Sequence, residues 1–524
     1  MNYKILVHTL RHLRGVQVWY QLRHRVQRAA WSLIQAPPMK RIADFPFFIP
    51  KPVCLKGETF TFLNISSPFT SWDDTSHGML WTYNQNYMDW LCQEKVDFKT
   101  GATWIDRFID DLAGNSKGLD PYPIALRGIN WIKFIAKHRD EIEAERLARW
   151  QDSLYSQYVF LTKELEFHLL GNHLLEDAYS LFIAAIFFDN ARFYRRASSL
   201  LRRELKEQVM TDGAHYEQSP MYHCILLDRL LDCYNISTHN HRFAGQEDMD
   251  AFMKETAERM LGHMESIVYK NGDIPLLNDA AEGIAPTTTQ IRDYAQRLGL
   301  KWEPVNLNAC GYRKWSVEGI ELVLDVGNIS ATYQPGHSHA DTFNYELRLD
   351  GNPFIVDTGI STYDKTQRRQ YERSTAAHNT VSVDGFDSSE VWGGFRMGKQ
   401  AKVQILSESR HQIKALHNGS SKKRWHQRTF ELTKDCLIVT DHIADGHKGI
   451  NYIHLAPNER IIFFSNTLIQ TTTTKILIEN CEHVEIKTDM CATRYNRLQP
   501  SIVAKIYFYG IMSYYVQRPE AIEV

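Results

Sequence analysis

The sequence predicts an α+β multidomain chain, an all-helical array followed by an antiparallel β-sandwich. Three observations carry that reading. Apolar residues recur at three- and four-residue spacing until about residue 310, and strand-like runs replace them afterwards. The second part also contains two Asp-Gly turn pairs, Asp350-Gly351 and Asp384-Gly385. A length of 524 residues is more than one compact domain commonly holds.

The first 43 residues stand apart. They contain no Asp or Glu, while Lys4, Arg11, Arg14, Arg23, Arg25, Arg28, Lys40 and Arg41 are basic and Leu6, Leu10, Leu13, Val18 and Trp19 interleave with them. There is no uninterrupted apolar core of a secretory signal, and no window suited to spanning a bilayer. Two alternatives remain open: peripheral contact with an anionic membrane surface, or a helix packed on its own protein with a solvated basic face. Without an export signal the expected location is cytoplasmic, at the inner membrane surface if the first alternative holds.

Residues 44–310 read as helices. Trp104–Leu112, Ile124–His138, Glu143–Leu170, Phe252–Val268 and Ile291–Leu298 carry the helical spacing, and Leu226–Leu231 continues it. Ser180–Phe188 is apolar nearly all round, as a helix inside a helical assembly would be. No clear strands interrupt this part. Gly299–Cys310 reads as the connection, and residues 311–524 as strands. Ile320–Val326, a Tyr345–Val356 hairpin, Thr380–Val383, Leu437–Thr440, Ile461–Phe464, Thr474–Ile478 and Ser501–Tyr509 are the strand candidates.

Composition excludes several classes. The net charge of −2 advertises no nucleic-acid partner. The 8 Cys are scattered from Cys54 to Cys491 with no CxxC pair, which excludes a disulfide-stapled mini-fold and a Cys-based zinc site and leaves free thiols. The aromatic share is 12%, first a matter of core and second of stacking on sugar faces.

Two clusters carry chemistry. In Gly336-His337-Ser338-His339-Ala340-Asp341, at the start of an expected strand, two-residue spacing would put both imidazoles on one face. The hairpin returns Asp357 toward His339, and His378 follows. Two His and one Asp have the chemistry of a zinc site with a place for water, set against ordinary structural histidines. Tyr371 and Arg373 have reach, although surface charge and edge packing explain them as well. In the helical part, Asn172, His173 and Glu176 share one helix patch beside an apolar run, where a network or a substrate must satisfy them. The stretch Asp212–His223 packs two Tyr, two His and one Glu around a helix start near Pro220.

These residues resemble the heparinase II/III-like polysaccharide lyases. The resemblance rests on His337–Asp341, Phe354–Gly359, Arg373–Val381 with Val383-Asp384-Gly385, and on Gly171-Asn172-His173 and Glu217–His223 in the same order. Trp81-Thr82-Tyr83-Asn84 and Leu126–Trp131 look similar to members that accompany bacterial surface-polysaccharide synthesis. The resemblance runs from about Pro46 onward. It implies an (α/α) toroid followed by the sandwich, and β-elimination on a uronate-containing polysaccharide. Such chemistry must neutralise the uronate carboxylate, take the C5 proton and protonate O4. Asn172 and His173 match the neutralising residues, and Tyr222 and His337 the acid and base in either order, with Tyr216 as a substitute for Tyr222. Glu176 matches an acidic residue that polarises the site. Arg127, Trp131, Tyr216 and Arg373 are expected at the sugar. His339, Asp357 and His378 match the ligands of one structural zinc ion, and no organic cofactor is implied. A uronyl C5-epimerase and a non-catalytic glycan-binding or assembly factor are the alternatives. The missing export signal points toward capsule or O-antigen metabolism.

Overall fold

The computed structural model describes residues 3–26, 29–39, 41–419 and 421–518; Arg28 and Lys40 of the basic segment lie outside the described residues. Helices dominate the chain from Met79 to Arg297, in two layers. Met79–Tyr87, Pro121–Lys137, Gly171–Phe187, Pro220–Thr238 and Thr288–Arg297 each touch the next, and form the inner layer. Phe98–Asp111, Ala144–Glu164, Ala191–Gln208 and Gln246–Ile267 lie outside them. Sequence sorts the layers. Every residue of Gly171–Phe187 except His173 is buried, as an all-round apolar helix must be. Ala191–Gln208 buries one stripe, from Phe193 and Ala197 to Leu201, Leu205 and Gln208.

Two expectations need correction here. The span Glu143–Leu170 is not one helix: the first helix stops at Glu164, and a new one starts at Gly171 after a turn in which Leu170 and Gly171 both adopt positive φ. A small antiparallel sheet, Leu55–Lys56, Thr59–Phe62 and Ile65–Pro68, also interrupts the helical part. Its Phe60 packs on Trp90 and Trp104 in an aromatic cluster, which is where much of the aromatic excess goes.

Among the described residues after Gly311, two antiparallel sheets of eight strands stack, beside a two-stranded ribbon of Val391–Trp392 and Arg396–Met397. Leu322, Leu347, Ile413, Phe430, Val439, Ile453 and Ile506 fill the layer between them. The Tyr345–Leu349 and Asn352–Ile355 strands turn through Asp350 and Gly351, both at positive φ, the conformation a two-residue hairpin requires. His337 and His339 are not in a strand. They lie in the loop between Asp325 and Tyr345.

The basic segment folds back on the body as helices Tyr3–Leu10 and Gly15–Val26. Its inner face spans both halves. His8 pairs with Glu390 at 2.8 Å and Thr9 accepts from Trp392 Nε1 on the sandwich side. Arg14 pairs with Glu207 on the toroid and lies over Tyr333, and Gln17 Nε2 donates to the carbonyls of Leu169 and Tyr333. Self-packing therefore holds for this inner face. Among the described residues no helix is long and apolar enough to cross a membrane.

Candidate active site

The site forms where the N-termini of two inner helices meet the sandwich loops. Gly171 enters its helix with φ +61°, and a Cβ there would lie 2.3 Å from Glu217 Oε1. This close approach lets Glu217 accept from the Asn172 backbone N–H and from Asn172 Nδ2, both at 2.8 Å. Ser219 caps the next inner helix, with Pro220 in its first turn, and places Tyr222 one turn in.

From the sandwich, His337 reaches across. Its Nδ1 lies 2.9 Å from Asp279 Oδ2 and its Nε2 3.2 Å from Asn172 Nδ2. The Asp279 carboxylate takes the Nδ1 proton in a hydrogen bond; in the neutral tautomer that this leaves, Nε2 carries the lone pair and accepts from the Asn172 amide, with Glu217 Oε2 3.5 Å away. The Tyr222 ring stacks on the imidazole with centroids 3.9 Å apart, and its hydroxyl accepts from Tyr363 at 3.4 Å. Burial pushes the Tyr222 phenol above its usual value, so it holds its proton.

Asp279 organises this cluster. Arg369 clamps it with two bonds of 2.5 and 2.7 Å, and His339 Nε2 bonds its other oxygen at 2.8 Å. Burial would raise the Asp279 carboxyl, but Arg369 and the two imidazoles outweigh burial and hold it well below the usual range. Glu217, Asp279 and Arg369 were not among the residues the sequence singled out for the site. Glu217 opens the Glu217–His223 run that carries part of the family resemblance. Asp279 had a faint signal, an Asn-Asp pair within the apolar run Ile274–Ala281.

His337 and His339 do converge, as expected, but on Asp279 instead of on a strand face. His378 Nδ1 bonds Asp357 at 2.7 Å, and the His339 and His378 rings are 5.2 Å apart. His339 Nδ1 and His378 Nε2 are buried without a hydrogen-bond partner, which fits two metal ligands. Asp357, the third expected ligand, is engaged with neighbours on both oxygens. Its oxygens already accept from Gly359 N, Asn344 Nδ2 and His378 Nδ1, so it orients His378 from behind. The buried oxygen left without a partner nearby belongs to Asp341. Among the described residues only Asp212, His263 and Cys310 bring three ligand atoms within 4.8 Å of one another.

Six other expected site residues sit elsewhere. Arg127 is fully buried, bonded to Gln157, Asn86 O and Gly118 O, and Trp131 is fully buried with Nε1 on Met88 Sδ; neither can reach a saccharide. Arg373 is also buried. Its guanidinium holds the carbonyls of Pro335, Ser338 and Arg396, so it shapes the His337 loop instead of touching a sugar. Tyr216 points at Tyr333 Oη, 2.9 Å away. Glu176 turns inward to Arg229 at 3.6 Å, and burial pushes its carboxyl up to about 7. His173 faces away from Asn172, toward Glu166 at 3.0 Å and the Tyr122 ring at 4.6 Å. Burial lowers the His173 imidazole, but Glu166 more than reverses this and leaves it raised.

Residues 128–299 match the heparinase II/III N-terminus, and residues 300–512 the heparinase II/III-like C-terminal domain. The chain belongs to the heparinase II/III family. Two heparin-sulfate lyases are similar to it in sequence. One, from Bacteroides stercoris, is 21% identical over 54% of this chain and 45% of its own length. The other, from Pedobacter heparinus, is 25% identical over 54% of this chain and 46% of its own length. The chain thus spans about half the length of these relatives. A crystal structure of heparinase III superposes with TM-score 0.67 at 15% identity, covering 97% of this chain and 90% of that one. That likeness establishes the fold, a toroid of helices followed by a β-sandwich. Within this heparinase II/III chain, the Asn172–His337–Tyr222 cluster lies at the junction of the two matched domains.

Proposed function

We propose that this heparinase II/III chain is a polysaccharide lyase that cleaves a uronate-containing acidic glycan by β-elimination. The observation that carries the proposal is the convergence of Asn172, Tyr222 and His337 from two domains, with Asp279 behind the imidazole. The similarity to heparin-sulfate lyases supports it.

His337 Nε2, an acceptor in this tautomer, takes the C5 proton. The electron pair left at C5 moves toward the carboxylate, giving an enolate. Asn172 donates its amide to that carboxylate, and Glu217 holds Asn172 in place through its backbone N–H and Nδ2. Tyr222, kept protonated by burial, gives its proton to O4 as the C4–O4 bond breaks. The product is a C4–C5 unsaturated uronate and a chain with a free hydroxyl. A zinc ion, when held by His339 and His378 with Asp357 supporting, would fix the loop that carries His337.

The likeness of Trp81–Asn84 and Leu126–Trp131 to synthesis-associated members supports a capsule or O-antigen polysaccharide as substrate. The exposed basic and apolar outer face of the N-terminal helices supports peripheral contact with an anionic membrane, at the inner surface.

The test is ultraviolet absorbance of the unsaturated product on a panel of uronate polymers. Asn172→Ala should lower kcat about 10²–10³-fold while the circular dichroism spectrum stays unchanged. No product on any polymer overturns the proposal, and deuterium uptake at C5 without cleavage would show an epimerase instead.

A further inference from the structure

We propose that Asp212, His263 and Cys310 form a second metal site, which takes a divalent cation of the zinc class and ties the connection between the two domains to the toroid. A carboxylate oxygen, an imidazole nitrogen and the sulfur of these residues lie within 4.8 Å of one another, and all three residues are buried. The site shares no residue with the cluster around His339 and does not depend on the lyase reading.

Three separate segments bring the ligands together. Asp212 sits in the turn after the outer helix Ala191–Gln208, and His263 in the last turns of the outer helix Gln246–Ile267. Cys310 ends the connection, just before the strand Tyr312–Val317. Gly213 lets the turn reach the helix. It adopts φ +79°, and a Cβ there would lie 2.1 Å from the Arg259 carbonyl oxygen. Cysteine spacing excludes a CxxC-type site, but a mixed set drawn from three segments leaves no such pattern in the sequence.

Each ligand has a place open. Asp212 Oδ2 accepts from the N–H groups of Asn308 and Cys310 at 3.2 and 2.9 Å, while Oδ1 has one long bond, from the Ala214 N–H at 3.4 Å. None of those partners is a cation, so the bonds of this buried carboxylate bring it no counter-charge. His263 Nδ1 is buried without a hydrogen-bond partner. The Cys310 sulfur accepts one weak bond, from the Tyr312 N–H at 3.4 Å. A carboxylate and a thiolate together offset both charges of a divalent ion, and binding releases the thiol proton to solvent. Sulfur and imidazole select zinc over magnesium or calcium, which favour oxygen ligands. The next imidazole, His223, lies 4.9 Å from His263 but is spent on the Met260 carbonyl and the His215 N–H. The fourth position of a tetrahedral ion is therefore left to water.

The location gives the site its role. The turn that holds Asp212 runs on to Glu217, which fixes Asn172, and Gln218 Nε2 donates to the Cys310 carbonyl at 2.6 Å. A cation on Asp212 and Cys310 joins the same two segments a second time, so it clamps the connection against the stretch that supports Asn172.

The test is cobalt substitution. Full-length protein is produced in zinc-depleted medium supplemented with Co²⁺, and its absorption spectrum is recorded. A thiolate ligand gives a sulfur-to-cobalt charge-transfer band in the near ultraviolet, which His339, His378 and Asp357 cannot give. The band should appear in the wild type and in His339→Ala with His378→Ala, and Cys310→Ser and His263→Ala should each lose it. A wild type without the band overturns the site, as does a band that survives Cys310→Ser; both results stand even if His263→Ala fails to fold. In the His339→Ala, His378→Ala background, Zn²⁺ added to chelator-stripped protein should raise the melting temperature, and Cys310→Ser should abolish that rise. No rise in that background overturns the clamp.

Discussion

At the scale of single residues, roles follow what each buried polar atom can bond. His337 has a carboxylate behind it and turns its Nε2 toward Asn172 in front, so it is set for proton transfer. His339, two positions on, has its Nε2 on the same carboxylate but its Nδ1 buried and unpartnered. An orphaned imidazole nitrogen costs about 1–3 kcal/mol, which a bound metal would recover. Zinc analysis of the purified protein should therefore find about one ion per chain that is lost in His339→Ala with His378→Ala. A metal-free protein of unchanged stability would reject the site. The motif His337–Asp341 was legible in sequence because both imidazoles sit in one short run. Asp279 and Arg369 were not, since a buried ion pair between distant loops leaves no local pattern. Arg127, Trp131 and Glu176 are the opposite case, since their motifs lie on inner-layer helices but their side chains are buried inside the helical layer.

At the scale of elements, helix starts set the geometry. Gly171→Ala puts a methyl group 2.3 Å from Glu217 Oε1 in a left-handed conformation that costs an L-residue about 1–2 kcal/mol by itself. The variant should lose about 2 kcal/mol or more in thermal unfolding and most of its kcat; a wild-type melting temperature would show that the contact is slack. In the sandwich, Arg428 bonds Asp441 through Nε and Nη2, at 2.7 and 2.9 Å, and its Nη1 holds the carbonyls of Phe343 and Asn379 beside the site. Burial opposes the Asp441 charge, but Arg428 and His426 outweigh it and depress its carboxyl. A depressed folded pKa means stability that is present above the unfolded value of about 3.9 and lost as the pH falls below it. Asp441→Asn leaves Arg428 uncompensated and should cost about 3–5 kcal/mol at neutral pH, with the difference from wild type shrinking below pH 4. A pH-independent difference would refute that account.

At the scale of the whole molecule, the N-terminal helices join the two domains with one face and offer the other to solvent. Tyr3, Val7 and Leu10, then Val18, Trp19, Leu22 and Val26, recur at helical spacing on that outer face and are exposed, Trp19 by 66%. Exposed Lys4, Arg11 and Arg25 flank them, and residues 1–43 hold no acid. Apolar stripes bordered by cations suit an anionic lipid surface. The protein should co-sediment with phosphatidylserine vesicles and not with phosphatidylcholine vesicles, and Trp19→Asp with Leu22→Asp should abolish it. Equal sedimentation with both lipids, or with neither, would reject the membrane contact.

Periodicity determined the helical and strand halves because it is local: an inner helix must be apolar all round, and a hairpin needs Asp350 and Gly351 at its turn. Likewise the Asn172, Tyr222 and His337 motifs were written in short runs. Which of those polar groups face one another was decided only by tertiary structure. Asn172 meets a residue 165 positions away, and the acid that orients that residue comes from a third loop. Burial made the rest of the choice. It turned Arg127, Trp131 and Arg373 from expected sugar contacts into core and loop supports, because a group with all its bonds made inside the protein has none left for a substrate.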